Sequence, residues 1–155
     1  MNNEFNLANE IITLSIADTW DAALMEWDLD YIYRVDTAET CLCGHYPILE
    51  LCVLVNEKNN NHATVGNVCV KKFFGINCDA VFSNIKKIKS DISKAANVET
   101  IDYACDRKWI SEWETNFYLD TWRKRVLSSK QAAIRTRINA TIIKRFDHAS
   151  RLADR

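Results

Sequence analysis

The sequence predicts an α+β fold that is mostly helical, on three observations. Only 3 Gly and 1 Pro occur in 155 residues, against average usages of about 7% and about 5%. Tight turns are therefore scarce, which disfavours a many-stranded sandwich or barrel. Residues 29–35 alternate apolar and polar side chains, and 48–55 form a nearly continuous apolar run, enough for one small sheet. Beyond Gly66 the apolar residues recur at helical spacing. The 48% apolar and 26% charged fractions are those of an ordinary soluble chain able to bury a core. The length suits one domain over 1–155, with a sheet region at 28–75 and a helical region at 79–155 that ends in a basic helix.

Each element follows from its pattern. Ile16, Trp20, Leu24 and Trp27 recur at helical spacing and predict an amphipathic helix over about 16–27. Leu29, Tyr31, Tyr33 and Val35 alternate with Asp30, Ile32, Arg34 and Asp36, the period of a half-buried strand. A second strand is expected at 48–55. The loop Asn56–His62 is short enough for a hairpin, with Ala63-Thr64-Val65 as the return strand. Val68, Val70, Phe73 and Phe74 predict a short helix that Gly75 can stop through its access to positive φ. Val81, Ile85, Ile88 and Ile92 make the next stripe, with Lys86, Lys87 and Lys89 outside it. A helix near 98–106 follows Asn97 as N-cap. Ile110, Trp113, Phe117 and Trp122 predict another, with Trp113 and Phe117 in the core. The last helix opens on a Ser128/Gln131 capping box and carries Ile134, Ile138, Ile142 and Phe146 on one face.

The net charge of −1 hides a separation. Residues 1–57 hold one base and eleven acids, whereas 121–155 hold ten bases and two acids. An acidic head and a basic tail can attract each other or face two different partners. No apolar run approaches the roughly 18 residues of a membrane span, and the N-terminus lacks the pattern of a secretory signal. The expectation is a cytoplasmic protein with no membrane partner, in the host cytoplasm if phage-encoded.

Six cysteines occur, at 41, 43, 52, 69, 78 and 105, and in an intracellular chain a disulfide framework is disfavoured. Cys41-Leu42-Cys43-Gly44 is a tight turn that aims two sulfurs at one point. The hairpin returns Cys52, and Gly66-Asn67-Val68-Cys69 delivers a sulfur in the first turn of a helix. Knuckle, hairpin and helix start are the arrangement of a treble-clef site, and thiolates are soft enough to hold zinc. The expectation is a treble-clef-like, zinc-stabilised sheet packed against helices. Cys41, Cys43 and Cys69 are three ligands. Cys52 fits as the fourth, with His45, His62 and Cys78 as competitors. Cys78 and Cys105 otherwise read as buried thiols. A sulfur-rich set favours a structural ion over a catalytic one, which keeps a position for water. The CxC spacing is not the usual one of an iron–sulfur cluster.

Two motifs, Glu39-Thr-Cys-Leu-Cys-Gly-His-Tyr-Pro-Ile48 and Val65-Gly-Asn-Val-Cys-Val-Lys-Lys-Phe-Phe-Gly75, are joined by a closing Leu127-Ser-Ser-Lys-Gln131 and Arg137-Ile-Asn139. Together they resemble a family of small bacterial and phage-borne proteins, over roughly residues 20–145. The resemblance implies the ligand set Cys41, Cys43, Cys52 and Cys69, and it brings no activity with it.

The basic tail is the strongest functional lead. Lys130, Arg137 and Lys144 lie seven apart on one helix face, opposite the Ile stripe, with Arg135 and Arg145 flanking and Arg123, Lys124 and Arg125 preceding. Such a stripe can track a phosphate backbone; it also fits a solvated helix face. Trp109 and Trp122 are less well placed for a core and suit base stacking or a partner patch. No phosphate-cradling glycine loop, GxSxG or HExxH occurs, so a non-enzymatic role is preferred. The reading is a zinc-stabilised nucleic-acid-binding accessory protein of phage or prophage type. The alternative is a factor that modulates a host protein complex through its acidic N-terminal region or exposed Trp residues.

Overall fold

A computed structural model of the protein describes residues 3–153. The fold is α+β, more than half helical, with one three-stranded antiparallel sheet in the order β1-β2-β3. The strands are β1 (Trp27–Glu39), β2 (Ile48–Asn56) and β3 (His62–Gly66). The helices are α1 (Asn3–Thr13), α2 (Trp20–Leu24), α3 (Asn67–Phe74), α4 (Cys78–Ser90), α5 (Val98–Asp106), α6 (Glu112–Thr121) and α7 (Ser129–Ala153). Among the described residues no helix is long and apolar enough to cross a membrane. The chain forms two compact units. One runs to Cys78 and takes in Ala153; the other spans Asp79–Leu152.

In the sheet unit, β1 departs from simple alternation. Leu29 lies opposite Leu54, but Tyr31 lies opposite Val53, so Asp30 is an extra residue in the ladder. A one-residue insertion moves what precedes it to the other face. Leu29 therefore shares the face of Ile32, Cys52 and Leu54, while Tyr33, Val35, Leu51 and Val53 form a core cluster on the opposite face. Both faces bury apolar residues: Ile32 and Leu51 are each fully buried.

The expected helix over 16–27 is confined to the five residues of α2. The apolar spacing is present, yet the Glu26 carboxylate accepts hydrogen bonds from the backbone N–H groups of Ile16 (2.9 Å) and Ala17 (2.8 Å). Those donors hold 15–19 as a loop, Ile16 is exposed, and Trp27 already belongs to β1. The other Glu26 partner is the Asn56 side-chain amide at 2.8 Å. Together, the Asn56 amide first, these donors hold the Glu26 carboxyl below its usual range. Helix α1 escapes the sequence reading because its buried stripe is only Leu7 and Ile11.

In the helical unit most of the expected stripes of α4 and α7 are buried, Val81, Ile85 and Ile88 on one and Ile138, Ile142 and Phe146 on the other. Ile92, however, lies beyond the end of α4 and is 40% exposed, and Ile134 in the second turn of α7 is only half-buried. Asn97 caps α5 by accepting from Thr100 N–H, and Ser128 and Gln131 form their reciprocal pair at the start of α7. Helix α6 corrects the expected core. Its buried residues are Thr115, Tyr118 and Thr121, whereas Trp113 is 57% exposed and Phe117 only half-buried. The threonines can face inward because their hydroxyls donate to Ser111 O and Phe117 O, both at 2.9 Å. The Tyr118 hydroxyl donates to Asn139 Oδ1 (2.6 Å) and accepts from Ala96 N–H (2.7 Å), and the Asn139 amide donates to Ile92 O and Lys94 O. Burial pushes the Tyr118 phenol up.

Candidate metal centre and basic helix face

The knuckle between β1 and β2 is closed by Cys41 N–H donating to His45 O (2.9 Å) and Gly44 N–H donating to Cys41 O (2.8 Å). Gly44 sits at φ +93°, a conformation that side chains strain to adopt. This turn puts the Cys41 and Cys43 sulfurs on one side. Helix α3 supplies the third: Cys69 stands in its first turn, and the Cys69 and Cys43 sulfurs are 3.4 Å apart. All three ligand atoms lie within 4.8 Å of one another, with Cys41 and Cys43 buried and Cys69 half-buried. A Cβ at Gly66 would crowd Ile48 Cγ2 at 3.3 Å and come into ordinary contact with Cys41 Cβ at 3.9 Å.

Backbone donors serve two of the sulfurs. Gly66 N–H donates to Cys41 Sγ at 3.2 Å, and His45 N–H donates to Cys43 Sγ at 3.4 Å. The neighbouring Cys69 thiol, helped by the Gly66 N–H, draws the Cys41 thiol down to about 5. The same sharing pushes Cys69 up, and burial pushes Cys43 up. A first negative charge is thus shared by hydrogen bonding within the cluster, whose soft donors suit a soft or borderline cation.

Cys52 is not part of this group. It pairs with Ile32 on one side and Val65 on the other. Gly66, whose open α-carbon faces Cys41, lies opposite Leu51. Neighbours in a strand point to opposite faces, so Cys52 belongs to the other face of the ladder. The proposed competitors are also outside the group among the described residues. His62 is held by Asp30 at 3.3 Å, and Cys78 is buried at the start of α4. His45 is exposed and lines a cavity of about 820 Å³ beside the three sulfurs. The backbone donors to sulfur had no signature in the sequence beyond the glycine that precedes α3.

On α7 the residues Lys130, Arg137, Lys144 and Arg145 are exposed, as are Arg123, Lys124 and Arg125 before it. Arg135 departs from the expected stripe. It is 7% exposed, donates to Thr121 O at 2.9 Å, and its guanidinium lies 5.8 Å from the Tyr118 ring centre. Its position next to the buried face turns it inward, where it ties α7 to the end of α6. Of the aromatics, Trp109 meets Tyr103 edge-on at 5.3 Å, and Arg123 lies 4.8 Å over the Trp122 ring. The exposed Trp113 stacks on Phe117 at 5.5 Å.

Comparison with protein-family models, with curated proteins and with solved structures finds no match for this chain.

Proposed function

We propose that this protein is a non-enzymatic, zinc-stabilised accessory protein that binds nucleic acid through the basic face of α7. The observation that carries the reading is the exposure of Lys130, Arg137 and Lys144 on the side of α7 away from its buried Ile138, Ile142 and Phe146. Residues seven apart on a helix are separated by about 10.5 Å along its axis, so the three cations form a line rather than a cluster. Arg123, Lys124 and Arg125 add further exposed positive charge. Contacts of this kind go to phosphates and are independent of base sequence.

The zinc part of the reading rests on Cys41, Cys43 and Cys69. Three thiolates within one coordination radius, two of them with backbone N–H donors, are a donor set that fits zinc. The ion would join the knuckle to the start of α3 across the β2–β3 hairpin, in the manner of a treble clef. The resemblance to small bacterial and phage-borne proteins adds an expected phage or prophage origin.

The test is binding of fluorescent single- and double-stranded DNA and RNA, titrated from low to physiological salt. A steep loss of affinity with salt is expected. Combining Arg137→Glu with Lys144→Glu should remove binding while leaving the fold intact. No binding at low salt would remove this function. The exposed Trp113, stacked on the half-buried Phe117, favours the second reading, a surface for a host protein, because Glu112 and Asp120 flank it on α6 and oppose phosphate contact. On that reading Trp113→Ala abolishes capture of the partner and Arg137→Glu does not.

A further inference from the structure

We infer that, with a metal on the three sulfurs as proposed above, the fourth donor is a small thiol taken from solution into the cavity beside them. Cys41, Cys43 and Cys69 supply three corners of a tetrahedron, and among the described residues no fourth Cys, His, Asp or Glu donor falls within the same mutual 4.8 Å. His45 lines the same cavity with an exposed side chain outside the sulfur cluster, while its backbone is pinned on both sides. Its N–H donates to Cys43 Sγ, and its carbonyl accepts from Cys41 N–H.

The sulfurs line a cavity of about 820 Å³, far more than the roughly 30 Å³ share of one water and within the range of small-molecule sites. Its wall is apolar on one side, with Ile48, Leu49, Val68 and Phe73, and carries Arg34 and Lys72 together with the carboxylates Glu4 and Glu50, Arg34 lying 4.0 Å from Glu50. Val68 is 70% exposed, so the wall opens to solvent.

The donor chemistry selects the ligand. Three thiolates on a divalent ion leave a net charge of −1 and strong electron donation, which weakens the ion as an acid toward water. A soft centre of this kind prefers sulfur to oxygen as its last donor. The thiol gives its proton to the buffer as its sulfur coordinates. Lys72 can offset part of the added negative charge, Arg34 being paired with Glu50, and the apolar wall receives the carbon body.

The test uses the full chain loaded with Co2+ in a phosphine reductant, with 2-mercaptoethanol as the probe. The sulfur-to-cobalt charge-transfer band should rise saturably by about one third, as three thiolates become four. Acetate at the same concentration should leave it unchanged. Val68→Glu should weaken the thiol response severalfold while Co2+ binding holds. A wild-type spectrum that ignores the thiol, joined to a His45→Ala variant that responds, would show His45 in the fourth corner and overturn the inference. A protein that shows no charge-transfer band with Co2+ alone fails earlier, at the metal reading itself.

Discussion

The sheet unit and the helical unit each enclose a buried polar centre, and the two centres differ in kind. In the sheet unit the polar groups titrate. Glu26 sits 3% exposed on two backbone N–H groups and the Asn56 amide, and three sulfurs share protons at the knuckle. In the helical unit the centre is neutral. Tyr118 and Asn139 are fully buried and satisfy each other, Ala96 N–H, and the carbonyls of Ile92 and Lys94. The charged side chain buried beside them is Arg135, which donates to Thr121 O. The buried polar groups of the sheet unit thus include a carboxylate and a thiol cluster that could hold a metal, whereas those of the helical unit are held chiefly by neutral hydrogen bonds.

The largest test of that contrast is metal removal. About one zinc per chain is expected by elemental analysis. Stripping it, or making Cys43→Ser or Cys69→Ser, should lower the melting temperature of the sheet unit by more than about 10 °C, because binding free energy is part of folding free energy. Hydrogen exchange should accelerate at β1–β3 and α3 and stay slow in α4–α7. Metal-free protein that melts like the native sample would break the comparison.

Next is Asn139→Ala, which deprives Tyr118, Ile92 O and Lys94 O of their partner in a dry interior. Denaturant melts should show a loss of about 3 kcal/mol, and Tyr118→Phe a loss of about 1–3 kcal/mol. Chelator should add nothing to either loss in the helical unit.

Acid supplies a smaller, selective effect. The folded Glu26 carboxyl titrates below its usual value of 4.5, so its stabilisation is complete above that value and is lost as pH falls through the lower folded one. Amide exchange of Ile16 and Ala17 should quicken over that acidic window, and Glu26→Gln should flatten the dependence. A wild-type exchange rate flat through that window would remove the carboxylate from the account.

The smallest effect separates two arginines on one helix. Arg137→Ala touches an exposed position and should change stability by less than about 0.5 kcal/mol. Arg135→Ala removes the hydrogen bond to Thr121 O and the packing over Tyr118, and should cost measurably more in the same melt. Equal losses would mean that Arg135 contributes no more than a surface cation.

Much was legible in the chain. The strands, α3 with its Gly75 stop, α4, α5 with its Asn97 cap and the capping box of α7 follow from local period and local hydrogen bonding, which depend only on neighbours in sequence. So does the meeting of Cys41 and Cys43, which stand two residues apart in one turn. What local pattern cannot settle is which side of an element meets the interior. The bulge at Asp30 sets the face of Leu29, strand parity puts Cys52 on the far side of the ladder from Cys41, and hydroxyl-to-carbonyl bonds let Thr115 and Thr121 take the inward face of α6 that Trp113 would otherwise claim. The same holds for the loop at 15–19, whose helical spacing yields to a carboxylate ten residues along the chain. Sequence determined the elements and the two-cysteine knuckle, because those are short-range. Tertiary structure alone decided which side chains are buried, and hence which sulfurs and which arginine lie where chemistry can use them.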